Sequence, residues 1–223
     1  MKPSLTLRNV WRNKDLRTLF AARLISNLGN GLSPVAIAFG VLALPGATPT
    51  SLSIVMFCQL LPIVAFMLVG GIVADRFPRA LLMGSADMLL SALVVLNGVM
   101  LITHTATVLS IAIINLLSGT LNAFWWPAMA GLMPDLVDDE QLQSANSFIG
   151  IATNLAYIIG MVSGGILVAA VGPGQAIVID GLSFLVAGAL VFTLRGTGTR
   201  REQGEHSPTM FDDLVHGWRE FTS

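Results

Sequence analysis

Six stretches long and apolar enough to cross a bilayer take up most of the 223 residues. They run roughly over 18–44, 51–74, 80–102, 107–131, 146–171 and 175–194, and a helix needs about 20 mostly apolar residues to traverse the hydrocarbon core. No water is available there to bond backbone N–H and C=O groups, so each span has to satisfy its own backbone, which favours helices. The sequence therefore predicts an all-α membrane protein. Residues 1–17 read as a polar lead, 18–194 as a bundle of six transmembrane helices, and 195–223 as a polar linker followed by the start of an amphipathic helix through Phe211, Leu214, Val215, Trp218 and Phe221.

Composition removes the competing classes. Only 11% of the residues are charged, against about 25% in soluble domains, so too few polar side chains exist to cover a water-facing globule. The same apolar character argues against disorder. Twelve Lys and Arg against 13 Asp and Glu give a net charge of −1 and no basic field for nucleic acid. Cys58 is the sole cysteine, so neither an internal disulfide nor a cysteine metal cluster is expected. No phosphate-cradling loop and no His-Glu-x-x-His pair occurs, and His104, His206 and His216 lack ligand spacing. An enzyme, a bound metal and a cofactor are not expected.

The segments Pro45 to Thr50, Thr103 to Ala106 and Gly172 to Gln175 carry no charge, whereas every Lys and Arg lies elsewhere. The positive-inside bias then places both termini in the cytoplasm of a plasma (inner) membrane protein, with Pro134 to Ser144 as an acidic cytoplasmic loop. Pro34, Pro62 and Pro127 each remove a backbone donor within a span, which is tolerated where protein or a watery cavity covers the freed groups. The fifth span carries Ala152, Ala156, Gly160 and Gly164 at four-residue spacing, with Gly165 adjacent, a smooth groove for another helix. Gly70-Gly71-Ile72 in the second span and Gly164-Gly165-Ile166 in the fifth are a faint echo of an inverted three-plus-three repeat.

Three ionisable groups, Arg23, Asp87 and Asp180, lie inside spans, where charge is costly and marks function by default. Counting about 1.5 Å per residue, Arg23 and Asp87 stand at similar depth and could pair, while Asp180 falls in the opposite half. Either carboxylate is a candidate for proton coupling; snorkelling to an interface is the plainer alternative for Arg23 and Asp180. Asn27 and Asn30, with Ser26 and the glycines beside them, make a polar stripe suited to a cavity wall. Trp125 and Trp126 could stack an aromatic substrate or serve only packing.

The stretch Gly71-Ile72-Val73-Ala74-Asp75-Arg76-Phe77-Pro78-Arg79 between the second and third spans resembles the signature loop of the major facilitator superfamily, with Pro78 where a glycine is usual and Ala80 where a second basic residue is usual. Ala123-Phe124-Trp125-Trp126-Pro127-Ala128, followed by Leu132-Met133-Pro134-Asp135-Leu136-Val137, is similar to the enterobactin-exporter-like branch of that superfamily. Gly160-Met161-Val162-Ser163-Gly164-Gly165 resembles its antiporter motif, with Met161 in place of proline. The resemblance implies one six-helix half of a twelve-span fold, with a missing C-terminal half or a second copy as partner. It implies efflux of small amphipathic molecules by alternating access, with protons as coupling ion. It further implies a conformational gating loop of Gly71, Asp75, Arg76 and Arg79, in which Asp75, Arg79 and Asp135 form a charge relay. The alternatives are a six-span protein working as a homodimer and a membrane scaffold that transports nothing.

Overall fold

The computed structural model describes residues 13–137 and 139–194. Six helices follow one another: α1 (Lys14–Leu42), α2 (Pro49–Arg76), α3 (Arg79–Ile102), α4 (Val108–Leu136), α5 (Asp139–Val171) and α6 (Pro173–Phe192). All six are long and apolar enough to cross a membrane. The expected amphipathic segment after residue 208 lies outside the described residues.

The ends are set by local chemistry. Asn13 caps α1 by accepting from the amides of Asp15 and Leu16. Thr48 with Ser51, and Thr107 with Ser110, form reciprocal capping boxes at the starts of α2 and α4. Gly172 links α5 to α6 alone, with φ 94°, a left-handed backbone that glycine adopts without penalty, and Pro173 then opens α6.

One expectation is corrected here. The acidic loop from Pro134 to Ser144 is largely helical, because α4 runs through Pro134 to Leu136 and α5 begins at Asp139. Glu140, Gln141, Leu142 and Gln143 are good helix formers, and acidic residues suit a helix N-terminus.

Neighbours in sequence are mostly not neighbours in space. The extensive pairings are α3 with α6, α2 with α4, α1 with α5 and α1 with α6, followed by α3 with α4. Shifting every helix by three converts α2–α4 into α5–α1 and α1–α6 into α4–α3, and leaves α3–α6 unchanged. The pairing pattern is therefore that of two three-helix units, and an odd number of helices per unit makes the second inverted relative to the first.

Small residues make these pairings close. On α3, Gly84, Ser91 and Gly98 recur every seven residues, and on α6 so do Gly174, Gly181 and Gly188. The helices run antiparallel, so that a Cβ added to Gly174 lies 2.9 Å from Gly98 O, one on Gly181 3.2 Å from Ser91 O, and one on Gly188 3.2 Å from Gly84 O. Such contacts leave no room for a methyl group, which is how helices associate where no hydrophobic force separates them from lipid. Gly31 of α1 and Gly160 of α5 face each other similarly, and a Cβ on Gly164 meets Leu32 Cα at 3.1 Å. Ala156 is buried in the same stripe. Gly165, rotated about 100° from Gly164, has nothing within 4 Å and is not part of the groove.

Pro127 deprives the Ala123 carbonyl of its helical donor, and that oxygen is where α2 brings Gly70 into contact. Gly70 is thus the packed glycine of the pair. Gly71 has open space where a side chain would be.

The core is divided in two. One apolar cluster, with Leu19, Met83, Leu132 and Met133, closes the end that carries Arg79; another, with Val41, Val55, Ile111 and Ile177, closes the other end. Between them the bundle is polar.

Candidate functional site: a latched end and two polar chambers

At the Arg79 end the guanidinium reaches from the first turn of α3 onto the last turns of α4. Nη1 donates to Gly131 O at 2.7 Å and to Asp135 Oδ2 at 3.0 Å. The negative end of the α4 dipole and the carboxylate act on the cation together. Gly131 is what lets it approach, since a Cβ there would overlap the guanidinium. Asp75 is 3.7 Å from Nη2 and 77% exposed, a peripheral member of the group. Asn13 joins the same helix end, donating from Nδ2 to Leu136 O at 3.1 Å. Of the residues assigned to this loop from sequence, Arg79, Asp135 and Asp75 come together. Arg76 is exposed on the last turn of α2, and Gly71 does not touch the group.

Behind the latch lies a chamber of about 400 Å³ walled by all six helices. Arg23 is 9% exposed and sits over the Trp125 ring, its Cζ 3.9 Å from the centroid. Asp87 is 1% exposed and is the carboxylate whose charge Arg23 feels. Trp125 stands beside Asp87. Asp87 Oδ2 and Trp125 Nε1 are buried without hydrogen-bond partners. Trp126 packs edge-on to Trp125, ring centroids 5.5 Å apart, and is 56% exposed. Asn27, Asn122 and Asn154 on the walls turn their Nδ2 groups back onto the carbonyl four residues earlier in their own helices, at 2.8–2.9 Å, which leaves the Oδ1 acceptors for other partners.

A second chamber of about 370 Å³ lies toward the other end and shares Asn30, Gln59, Asn122, Tyr157 and Phe184 with the first. Its carboxylate is Asp180, 1% exposed, beside Ser33 and pressed against Gly29, where a Cβ would overlap it. Asp180 Oδ1 and Asn97 Oδ1 are buried without partners. Asp180 and Asp87 therefore belong to different chambers, joined through the bundle centre.

Gln59, Asn97, Asn115, Asn122 and Tyr157 were not singled out in the sequence. The signal was present: Asn115, Ser118 and Asn122 fall three and four apart and share one face of α4. Among the described residues, no group of His, Cys, Asp and Glu is arranged to hold a metal.

A family model described as transmembrane secretion effector matches residues 9–222. An uncharacterized MFS-type transporter, YkuC of Bacillus subtilis (strain 168), is 24% identical over 95% of this chain and 50% of its own length. The multidrug efflux pump Tap of Mycobacterium tuberculosis (strain ATCC 25618 / H37Rv) is 31% identical over 89% of this chain and 49% of its own. The Staphyloferrin A transporter of Staphylococcus aureus (strain NCTC 8325 / PS 47) is 27% identical over 67% of this chain and 38% of its own. The chain thus spans about half the length of the curated relatives it matches. No solved structure matches.

Proposed function

Because this chain belongs to the transmembrane secretion effector family of major facilitator superfamily transporters, we propose that it forms the amino-terminal half of a secondary active exporter that moves small amphipathic molecules outward against protons. The observation that carries the proposal is the Arg79 latch on α4, set at one end of a bundle whose centre holds polar chambers. A site reached alternately from two sides needs an end that can be held shut and released, and a charged side chain on a helix terminus is such a device. In this reading the latch end and both termini face the cytoplasm of the plasma membrane, and Asp75, Arg79 and Asp135 form a relay made in one access state and broken in the other.

Asp87 or Asp180 is the proton-coupling carboxylate. The apolar faces of α2 and α5, with Val64, Leu68, Val162 and Ile166 more than two-thirds exposed, meet lipid or a second half. The test is ethidium efflux from cells carrying the native locus, compared with a deletion strain, with and without a protonophore. Loss of efflux on deletion and on collapse of the gradient is expected; identical efflux in both strains rejects the proposal for this dye class, and efflux that survives the protonophore rejects proton coupling.

A further inference from the structure

Arg23 is the feature that the transporter reading leaves unused. A guanidinium carries five N–H donors in a planar fork, and a buried one is expected to be paired. Here it is 9% exposed, yet none of the described side chains or carbonyls accepts a hydrogen bond from it. It is held by the face of Trp125 below and by the charge of Asp87, whose Oδ2 is likewise unpartnered. The two opposite charges share one chamber without closing on each other, and the chamber is large enough for a small molecule.

From this geometry we propose that Arg23 binds a carboxylate group of the transported molecule. The planar fork matches a carboxylate by two parallel hydrogen bonds, an arrangement that a point charge cannot reproduce. Trp125 fixes the plane of the guanidinium through the cation–π contact, so less rotamer freedom remains to be lost when the anion binds. Asp87 repels the incoming carboxylate while charged and is therefore a competitor for Arg23. The Oδ1 atoms of Asn27 and Asn122 accept from hydroxyl or amine groups elsewhere on the ligand. The chamber thereby selects organic acids that fit its volume of about 400 Å³. The inference rests on the transporter reading only for the word transported; the binding step stands by itself.

The experiment is equilibrium binding of tritiated 1-naphthaleneacetate to the purified full chain in detergent, with displacement by the unlabelled acid, by 1-naphthaleneacetamide and by 1-naphthylmethylamine, which share the ring and differ in charge. Saturable binding is expected, displaced by the acid and not by the amide or the amine. Arg23→Gln should weaken it at least tenfold. Arg23→Lys should fall between, keeping the charge and losing the fork. Asp87→Asn should tighten it, a change opposite to what damage to the fold produces, so the inference remains testable even where Arg23→Gln does not fold. Absence of saturable binding by the acid, binding unchanged in Arg23→Gln, or stronger displacement by the amine overturns it, the last assigning the chamber to cations held by Asp87. Binding without efflux in cells would sink the transporter reading and leave the carboxylate site; ethidium efflux without acid binding would do the reverse.

Discussion

Substituting Gly131 by Ala loosens the latch without removing a charge. The new Cβ occupies the position of the Arg79 guanidinium, and because that group is the end of a flexible side chain, the side chain moves rather than the backbone. Moving it breaks the 2.7 Å bond to Gly131 O and the 3.0 Å contact with Asp135. A hydrogen bond to a charged group contributes about 1.5–3 kcal/mol, and an ion pair as accessible as this one adds about 0.2–1 kcal/mol. Alanine recovers about 1 kcal/mol of helix propensity over glycine. The net loss is about 1–3 kcal/mol, which shifts a two-state equilibrium by about 5- to 150-fold. In a Cys58→Ala background with Thr153→Cys as a reporter inside the chamber, N-ethylmaleimide should label faster from the latch side by a factor in that range. Added to Arg79→Ala, the same Gly131→Ala change should do nothing or slow labelling slightly, since only the propensity gain is left. If Arg79→Ala opens the chamber and Gly131→Ala does not, the steric reasoning is wrong.

Three further outcomes are expected. Asp135→Arg should abolish efflux, and Arg79→Asp in the same chain should restore part of it; without rescue the direct pair is rejected. Gly160→Leu drives a side chain into the Leu28 and Gly31 backbone and should lower the thermal midpoint in detergent, overpacking of a close contact costing about 1–3 kcal/mol or more, whereas Gly165→Leu points into open space and should leave the midpoint within error. Asp180→Asn should uncouple efflux from the proton gradient, and gradient-driven efflux that persists in this variant removes Asp180 from the coupling step.

The number of spans, their order and the charged turn before α3 were legible because each is written locally: about 20 apolar residues declare a span, and Asp-Arg-x-x-Arg between two of them declares a charged turn. The α4–α5 boundary was not, since acidity at Asp138, Asp139 and Glu140 reads equally as a loop or as a favourable first helical turn. Gly165 was grouped with the packing groove, yet it has nothing within 4 Å. In a Gly-Gly pair only one member faces the neighbouring helix, and which one depends on the rotation of the whole helix, which no local pattern fixes. The common depth of Arg23 and Asp87 was legible by counting residues, but the pair expected from it is not closed, and the stacking of Arg23 on Trp125 was not legible, because it requires α1 and α4 to be turned toward each other. The second chamber depended on amides from four helices, each unremarkable until the bundle is assembled.

The pairing order has a consequence for how the chain is made. α1 and α2 scarcely touch, nor do α2 and α3, while α1 is partnered by α5 and α6, α2 by α4, and α3 by α6 and α4. A ribosome delivers α1 to α3 first. Until the later helices arrive, the early ones stand in the bilayer with their glycine faces open and with Arg23 and Asp87 exposed to lipid or held by the insertion machinery. Bilayer insertion and tertiary assembly are thus separated in time, and α6, the sixth of the described helices, is the one that completes the seams of both α1 and α3. Shortening the chain before α6 should strand the first half of the protein as an inserted but unassembled intermediate.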